Sequence, residues 1–183
     1  PDPVKRPVRA PVADIPVSWR PAKPPRKWKS IVLHHTATEA GSVKSIHAEH
    51  LKRTTNGKPW LGIGYHFVIG NGNGLGDGLV LASYRWIDQL PAARPVSIRA
   101  GNWDKGFITI CLVGNGNRRP FSERQLLHLS RLVQRLQHEL SIEAENVWLE
   151  SDLDNSLDTQ NSPGNYFAEA LFRSQLLDIA APF

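Results

Sequence analysis

The chain has 183 residues, of which 40% are hydrophobic and 21% charged, as expected for one globular domain large enough to bury a core. No apolar run approaches the roughly 18 to 20 residues of a membrane-spanning helix, and a single cysteine excludes a disulfide framework and a cysteine-only zinc finger. The net charge of +5 is uneven: residues 1–30 hold eight basic and two acidic residues, whereas the remainder holds fourteen and fifteen. The folded part is therefore nearly neutral, and no nucleic-acid partner is predicted.

The first 28 residues form a proline-rich, basic segment that contains eight of the fourteen prolines. Such a density of proline favours an extended linker without helix or sheet. The segment is either a plain linker or a basic spacer that touches an anionic polymer, a phospholipid or nucleic acid. Trp19 and Trp28 predict that its last part packs onto the domain. The chain starts with proline, which predicts that a preceding segment was removed.

The first half of the domain alternates strands with one helix. Residues 31–36 read as a buried strand, and Ser42 caps a predicted helix that runs to about Thr54. Residues 64–69 and 79–83 read as two strands. The glycine-rich segment between them predicts a hairpin turn rather than a phosphate loop, because neither a helix nor a Gly-Lys-Ser/Thr element follows.

The second half contains the most apolar strand and the clearest helix. Residues 107–113 predict a central strand, and the capping box Ser122 to Gln125 opens a helix to about Leu140. A short strand at 147–149 and a last helix after Pro163-Gly164 complete the pattern. Helices that alternate with strands around one apolar sheet predict an α/β domain over residues 29–183.

Four segments in this order and spacing resemble one family. They are Leu33-His34-His35-Thr36-Ala37-Thr38, Gly62-Ile63-Gly64-Tyr65-His66-Phe67-Val68-Ile69, Ile110-Cys111-Leu112-Val113-Gly114 and Ser162-Pro163-Gly164. Together they resemble the type-2 N-acetylmuramoyl-L-alanine amidases, which include phage endolysins, bacterial muropeptide amidases and the peptidoglycan recognition proteins. The resemblance covers about residues 29–178 and implies a single central mixed β-sheet flanked by helices.

The resemblance implies zinc-assisted hydrolysis of the amide between N-acetylmuramic acid and L-alanine, with three protein ligands and a water on the metal. Counted back from Pro-Gly without gaps, the ligand positions fall on His34, Asp152 and Ser162, and a lysine common in the family falls on Gln160. A serine hydroxyl is a poor zinc ligand. The expected state is a degenerate site without a cofactor, unless His35, Asp154 or Asp158 rebuilds it for zinc or the acidic loop takes a hard cation such as calcium or magnesium.

If the domain is active, the resemblance assigns catalysis to His34 and Tyr65. Some family members place a glutamate on the central strand where this chain has Cys111, which reads better as a small buried hydrophobic residue than as a nucleophile. In the recognition proteins, a serine at the last ligand position marks members that bind peptidoglycan without cutting it. Aromatic rings suit sugars, and arginines suit the carboxylates of stem peptides. The predicted substrate-binding residues are His34, His35, Tyr65, Trp60, Arg85, Trp86, Arg99, Asn102, Trp103 and Gln160.

Three functions are therefore in competition. The first is recognition of peptidoglycan, as muropeptide or stem peptide, by an amidase-like domain that has lost its zinc site. The second is an active amidase with a rearranged metal site. The third is a protein-interaction module on the same scaffold, tethered by the proline-rich segment. A cell-wall ligand predicts a bacterial envelope location, periplasmic or secreted.

Overall fold

The computed structural model describes residues 16–93, 96–97, 103–104, 106–153 and 161–179, with only the backbone at 96–97 and 103–104. Within these ranges, no helix is both long and apolar enough to cross a membrane. The elements are β1 (Ser30–His35), α1 (Val43–His50), β2 (Thr54–Thr55), β3 (Lys58–Pro59), β4 (Phe67–Ile69), β5 (Val80–Ala82), α2 (Tyr84–Ile87), β6 (Val96–Ser97), β7 (Trp103–Asp104), β8 (Phe107–Leu112), α3 (Glu123–Leu140), β9 (Val147–Leu149) and α4 (Glu169–Ser174).

The central sheet has five strands in the order β5-β4-β8-β1-β9. Strands β4, β8, β1 and β9 run parallel, while β5 pairs antiparallel with β4. The register places His34 opposite Cys111 in β8 and Leu33 opposite Leu149 in β9. The predicted α/β architecture with one mixed sheet is confirmed.

The sheet is buried on both faces, which explains the continuous apolar runs of β1 and β8. Leu33, Phe67 and Ile110 belong to the core cluster shared with α3, whereas Val68 packs with Ile46 of α1. Because side chains alternate along a strand, His34 projects to the α1 face of the sheet.

Helix α3 follows its sequence signals closely. Ser122 and Gln125 form the predicted capping box, and the helix ends at Leu140, followed by the C-cap residue Ser141 in a left-handed conformation. Helix α1 begins after its cap Ser42 as predicted but ends at His50, before Thr54. The chain turns into the β2–β3 hairpin instead, with Asn56-Gly57 at positive φ.

Residues 16–28 pack against the domain as the two tryptophans predict. The Trp19 indole donates to the backbone oxygen of Val80 at 3.1 Å and lies edge-on to Phe67. Trp28 is buried and donates to the Gln89 side chain at 2.8 Å. These residues are therefore part of the folded unit, and residues 1–15 lie outside the described ranges.

We expect Trp19→Ala to lower the free energy of unfolding by about 2 to 3 kcal/mol, because a partly buried indole and its hydrogen bond are lost from the core surface. Urea titration followed by circular dichroism measures this change. Val17→Ala is the matched control, because Val17 is 79% exposed in the same segment and should shift stability by less than about 0.5 kcal/mol. Equal effects of the two variants would contradict the packing role of Trp19.

Candidate functional site

The candidate site is centred on His34, the fifth residue of β1. Its side chain is buried on the face of the sheet that packs against α1. Its Nδ1 lies 2.9 Å from Oε2 of Glu150. Because a carboxylate only accepts hydrogen bonds, Nδ1 carries the proton of this bond. The other ring nitrogen, Nε2, is buried and has no hydrogen-bond partner among the residues that the structure describes.

Glu150 is brought to His34 by the register of the sheet. Leu149 at the end of β9 lies opposite Leu33, so the next residues of the two chains are neighbours. A short 3₁₀ turn begins at Glu150. The ungapped count from Pro-Gly did not find Glu150, because it put Asp152 at this place. The position of Glu150 directly after a short apolar strand was the signal in the sequence.

The other two predicted ligand positions are engaged elsewhere. Asp152 is exposed, and its Oδ2 accepts from the Leu149 amide at 3.1 Å and from Arg173 at 3.3 Å. Ser162 is buried, and its Oγ accepts from the backbone amide of His35 at 3.1 Å. Both side chains therefore hold the backbone around the site.

The described side chains around His34 do not form a zinc ligand set. Zinc sites use three or four imidazole, thiolate or carboxylate ligands, and the orphaned Nε2 of His34 supplies only one donor. In the described ranges, no three His, Cys, Asp or Glu side chains are grouped to hold a metal. Most of the acidic loop, including Asp154, Asp158 and Gln160, lies outside those ranges.

The Tyr65 ring packs against two histidine rings. Its centroid lies 5.1 Å from that of His34 and 5.1 Å from that of His50. Burial, reinforced by Cys111 and the Glu150 carboxylate, raises the pKa of Tyr65 well above its ordinary value. The phenol therefore stays neutral. Burial also raises the pKa of the fully buried Cys111 thiol, which supports a packing role.

The side chains of His35 and His66 form hydrogen bonds with backbone groups of neighbouring segments. His35 Nδ1 accepts from the Gly116 amide at 3.1 Å, and burial lowers its pKa. His66 Nδ1 accepts from the Thr109 amide at 2.9 Å, while its Nε2 donates to the Leu90 carbonyl at 2.8 Å. Each bond to Nδ1 requires that nitrogen to lack a proton.

An open cleft of about 310 Å³ lies beside Tyr65, between α1 and the segment that follows β1. Its lining residues are Thr36, Thr38, Ala40, Ser45, Ile46, Glu49, His50, Arg53 and Tyr65. The sequence analysis selected only Tyr65 from this wall. His50 is buried, accepts from the Gly64 amide at 2.9 Å, and has its pKa lowered by burial to about 4.

The remaining predicted contacts have different surroundings. Arg85 is buried and donates to the backbone oxygens of Ile63 at 2.5 Å and Pro91 at 2.7 Å. Trp86 is 2% exposed and belongs to the main core cluster, which leaves almost no surface for a ligand. Trp60 is half-buried and lies edge-on to His50.

Four of the predicted binding residues cannot be assigned a place. Arg99, Asn102 and Gln160 lie outside the described residues, and for Trp103 only the backbone of β7 is described. Their contribution to binding stays a prediction.

Solved structures share this fold at low sequence identity. The amidase LysC from Clostridium intestinale has a TM-score of 0.61 and 24% identity over 87% of this chain and 93% of its own. Human PGRP-IBETAC, solved in complex with glycosamyl muramyl pentapeptide, has a TM-score of 0.57 and 18% identity over 83% and 88%. The Ph2119 endolysin from a Thermus scotoductus bacteriophage has 0.56 and 21% over 86% and 89%. The predicted amidase and recognition-protein fold is confirmed.

No curated protein sequence matches the chain. The sequence profile described as Amidase_2, N-acetylmuramoyl-L-alanine amidase, matches residues 24–165, which include β1, α1, the cleft and the partner of His34. With this match over most of its length, the chain belongs to the Amidase_2 family of N-acetylmuramoyl-L-alanine amidases.

Proposed function

We propose that this domain binds peptidoglycan fragments, as muropeptides or stem peptides, in the cleft beside His34 without hydrolysing them. The observation that carries the proposal is that Asp152 and Ser162, the predicted partners of His34 as ligands, accept from backbone amides, while no three candidate ligands are grouped within the described residues. Family membership supports peptidoglycan as the ligand class. The zinc site is degenerate in this proposal, and the domain acts in the bacterial envelope, periplasmic or secreted.

The cleft has the chemistry that a short peptide attached to a sugar requires. Tyr65 offers a neutral hydroxyl and a ring face, and Thr38 is exposed at the rim. Ile46 provides an apolar floor, and Arg53 provides a positive charge. A mixed surface of this kind can bind sugar, methyl and carboxylate groups together.

A blocking substitution tests the location of binding. Ala40→Trp is expected to reduce retention on purified sacculi by about tenfold or more, because an indole fills much of a cleft of about 310 Å³. Ala48→Trp is the matched control, because Ala48 is exposed on α1 but does not line the cleft. Co-sedimentation with sacculi measures retention, and equal retention of the two variants would contradict the assignment of the cleft.

The same incubation tests the absence of hydrolysis. No new L-alanine amino termini should appear with added zinc, and retention should survive a chelator. Released termini that disappear in His34→Ala would favour the amidase alternative instead. Failure to bind sacculi at all would favour the protein-interaction alternative, in which the proline-rich segment acts as a tether.

A further inference from the structure

A second hollow, of about 400 Å³, lies where α3 and residues 16–19 meet the edge strand β5. Its lining includes the side chains of Trp19, Leu79, Val80, Leu132, Arg131 and Arg135. It shares no lining residue with the cleft beside Tyr65. The hollow therefore combines mainly apolar walls with positive charge, at a place that the cleft does not use.

The positive charge follows one side of α3. Arg131 lies two turns of the helix after Arg124, and Arg135 lies one turn further, so the three guanidinium groups share that side. Arg135 forms an ion pair with Glu139, and Glu123 lies in the first turn, where it complements the helix dipole. Within the described residues, the exposed Arg124 and Arg131 belong to no ion pair. These two arginines are therefore suited to bind an external anion.

Large apolar side chains are exposed around the same two arginines. Leu127 is 47% exposed and lies one turn of α3 from each of them, and Leu79 is 49% exposed and lines the hollow. Val17, in the segment that forms another wall, is 79% exposed. A soluble polyanion requires only positive charge, whereas apolar side chains among cations are typical of a surface that enters the headgroup region of a membrane.

This surface is built by elements of the folded domain. The Nδ1 of His128 donates to the Gly78 carbonyl at 2.6 Å, and the Trp19 indole donates to the backbone oxygen of Val80 at 3.1 Å. The two bonds flank Leu79 in the chain and hold the sheet edge between α3 and the N-terminal segment. Residues 16–30, which start at the hollow, contain five basic residues and no acidic one.

We propose that this surface, formed by Val17, Leu79, Arg124, Leu127 and Arg131 around the hollow, docks on a bilayer that contains anionic phospholipids. The arginines bind lipid phosphates, and the leucine and valine side chains enter the headgroup region. Helix α1 and its cleft pack on the other face of the sheet, so docking leaves the cleft turned away from the bilayer. This inference does not depend on what the cleft binds.

Vesicle co-sedimentation of the full chain tests the charge of this surface. Binding to vesicles of equal parts phosphatidylglycerol and phosphatidylcholine should be about tenfold or more stronger than binding to phosphatidylcholine alone. Arg124→Gln combined with Arg131→Gln should weaken binding to the anionic vesicles by about tenfold or more. Lys44→Gln combined with Lys58→Gln is the matched control, because it removes the same charge from exposed positions of α1 and the β2–β3 hairpin.

The control pair should change vesicle binding by less than about twofold. Equal losses in the two double variants would show that only net charge matters and would overturn the assignment of this surface. Equal binding of the wild type to both kinds of vesicle would overturn it as well. Binding to soluble polyphosphate but not to the anionic vesicles would overturn the lipid assignment in favour of an anionic polymer.

A fluorescent label tests the orientation on the bilayer. Cys111 is the only cysteine of the chain and is buried, so a cysteine introduced at an exposed position is the accessible thiol. A nitrobenzoxadiazole label on Leu127→Cys should gain fluorescence about twofold or more on the anionic vesicles, because its surroundings become apolar. The same label on Leu61→Cys, a 78% exposed position that follows the β2–β3 hairpin, should not change. A gain at position 61 without one at 127 would overturn the proposal.

Discussion

Glu150→His combined with Ser162→Cys is expected to create a zinc site that the described residues of the native chain do not form. Glu150 already lies 2.9 Å from His34 Nδ1, and Ser162 lies beside the same strand end through its bond to the His35 amide. The double variant would place two imidazoles and one thiolate around that point, a ligand set that zinc prefers to a serine hydroxyl. Competition against a chromogenic chelator at pH 7 should show zinc affinity about a hundredfold or more above that of the native chain.

Asp152→His combined with Ser162→Cys is the matched control. It adds the same two side chains, but position 152 is exposed and its side chain points to the Leu149 amide and Arg173. This control should gain much less zinc affinity than the Glu150 variant. A stronger gain in the Asp152 variant would show that residue 152, and not 150, is the partner of His34 in the folded protein.

The sequence predicted residue 152 near His34, whereas the structure places residue 150 there. The segments around His34 and Pro163-Gly164 identified the family, but counting between them assumes a loop of fixed length. The structure sets the position by sheet register instead, because Leu149 pairs opposite Leu33. Register depends on contacts between distant strands, which a count along one chain does not contain.

The elements with strong local signals were predicted well. Strands β1 and β8 are continuous apolar runs, and α3 combines a capping box with helical periodicity. The end of α1 was missed, although Asn56-Gly57 is a hairpin signal that was present in the sequence. That hairpin carries Trp60 to Arg53, so missing it also hid the cationic wall of the cleft.

The contacts of each side chain distinguish predicted ligand-binding residues that looked equally suitable in the sequence. Arg85 and Trp60 both appeared as suitable ligand contacts from residue type alone. In the structure, Arg85 donates hydrogen bonds to two backbone carbonyls, whereas the Trp60 ring lies within cation–π distance of Arg53. Residue type indicates what a side chain can bind, but only packing shows which of its donors are already used.

Acidification is expected to destabilise the domain between about pH 6.5 and pH 4, and His66 should carry much of the effect. His66 is fully buried, and burial lowers its pKa from 6.5 to about 3. The unfolded chain therefore takes up a proton at His66 as the pH falls below 6.5, while the folded chain does not until about pH 3. Stability from this residue is complete above pH 6.5 and is lost as the pH falls, at about 1.4 kcal/mol per pH unit.

His66→Gln tests this expectation, because an amide can accept from the Thr109 amide or donate to the Leu90 carbonyl but cannot titrate in this range. Urea unfolding at pH 7, 6, 5 and 4 gives the free energy at each pH. The variant should be less stable at pH 7 by about 1 to 3 kcal/mol, because one buried hydrogen bond is impaired. It should nevertheless lose about 3 kcal/mol less than the wild type between pH 6.5 and 4. His138→Gln, an exposed change on α3, should keep the wild-type pH slope, and an unchanged slope in His66→Gln would contradict the role of His66.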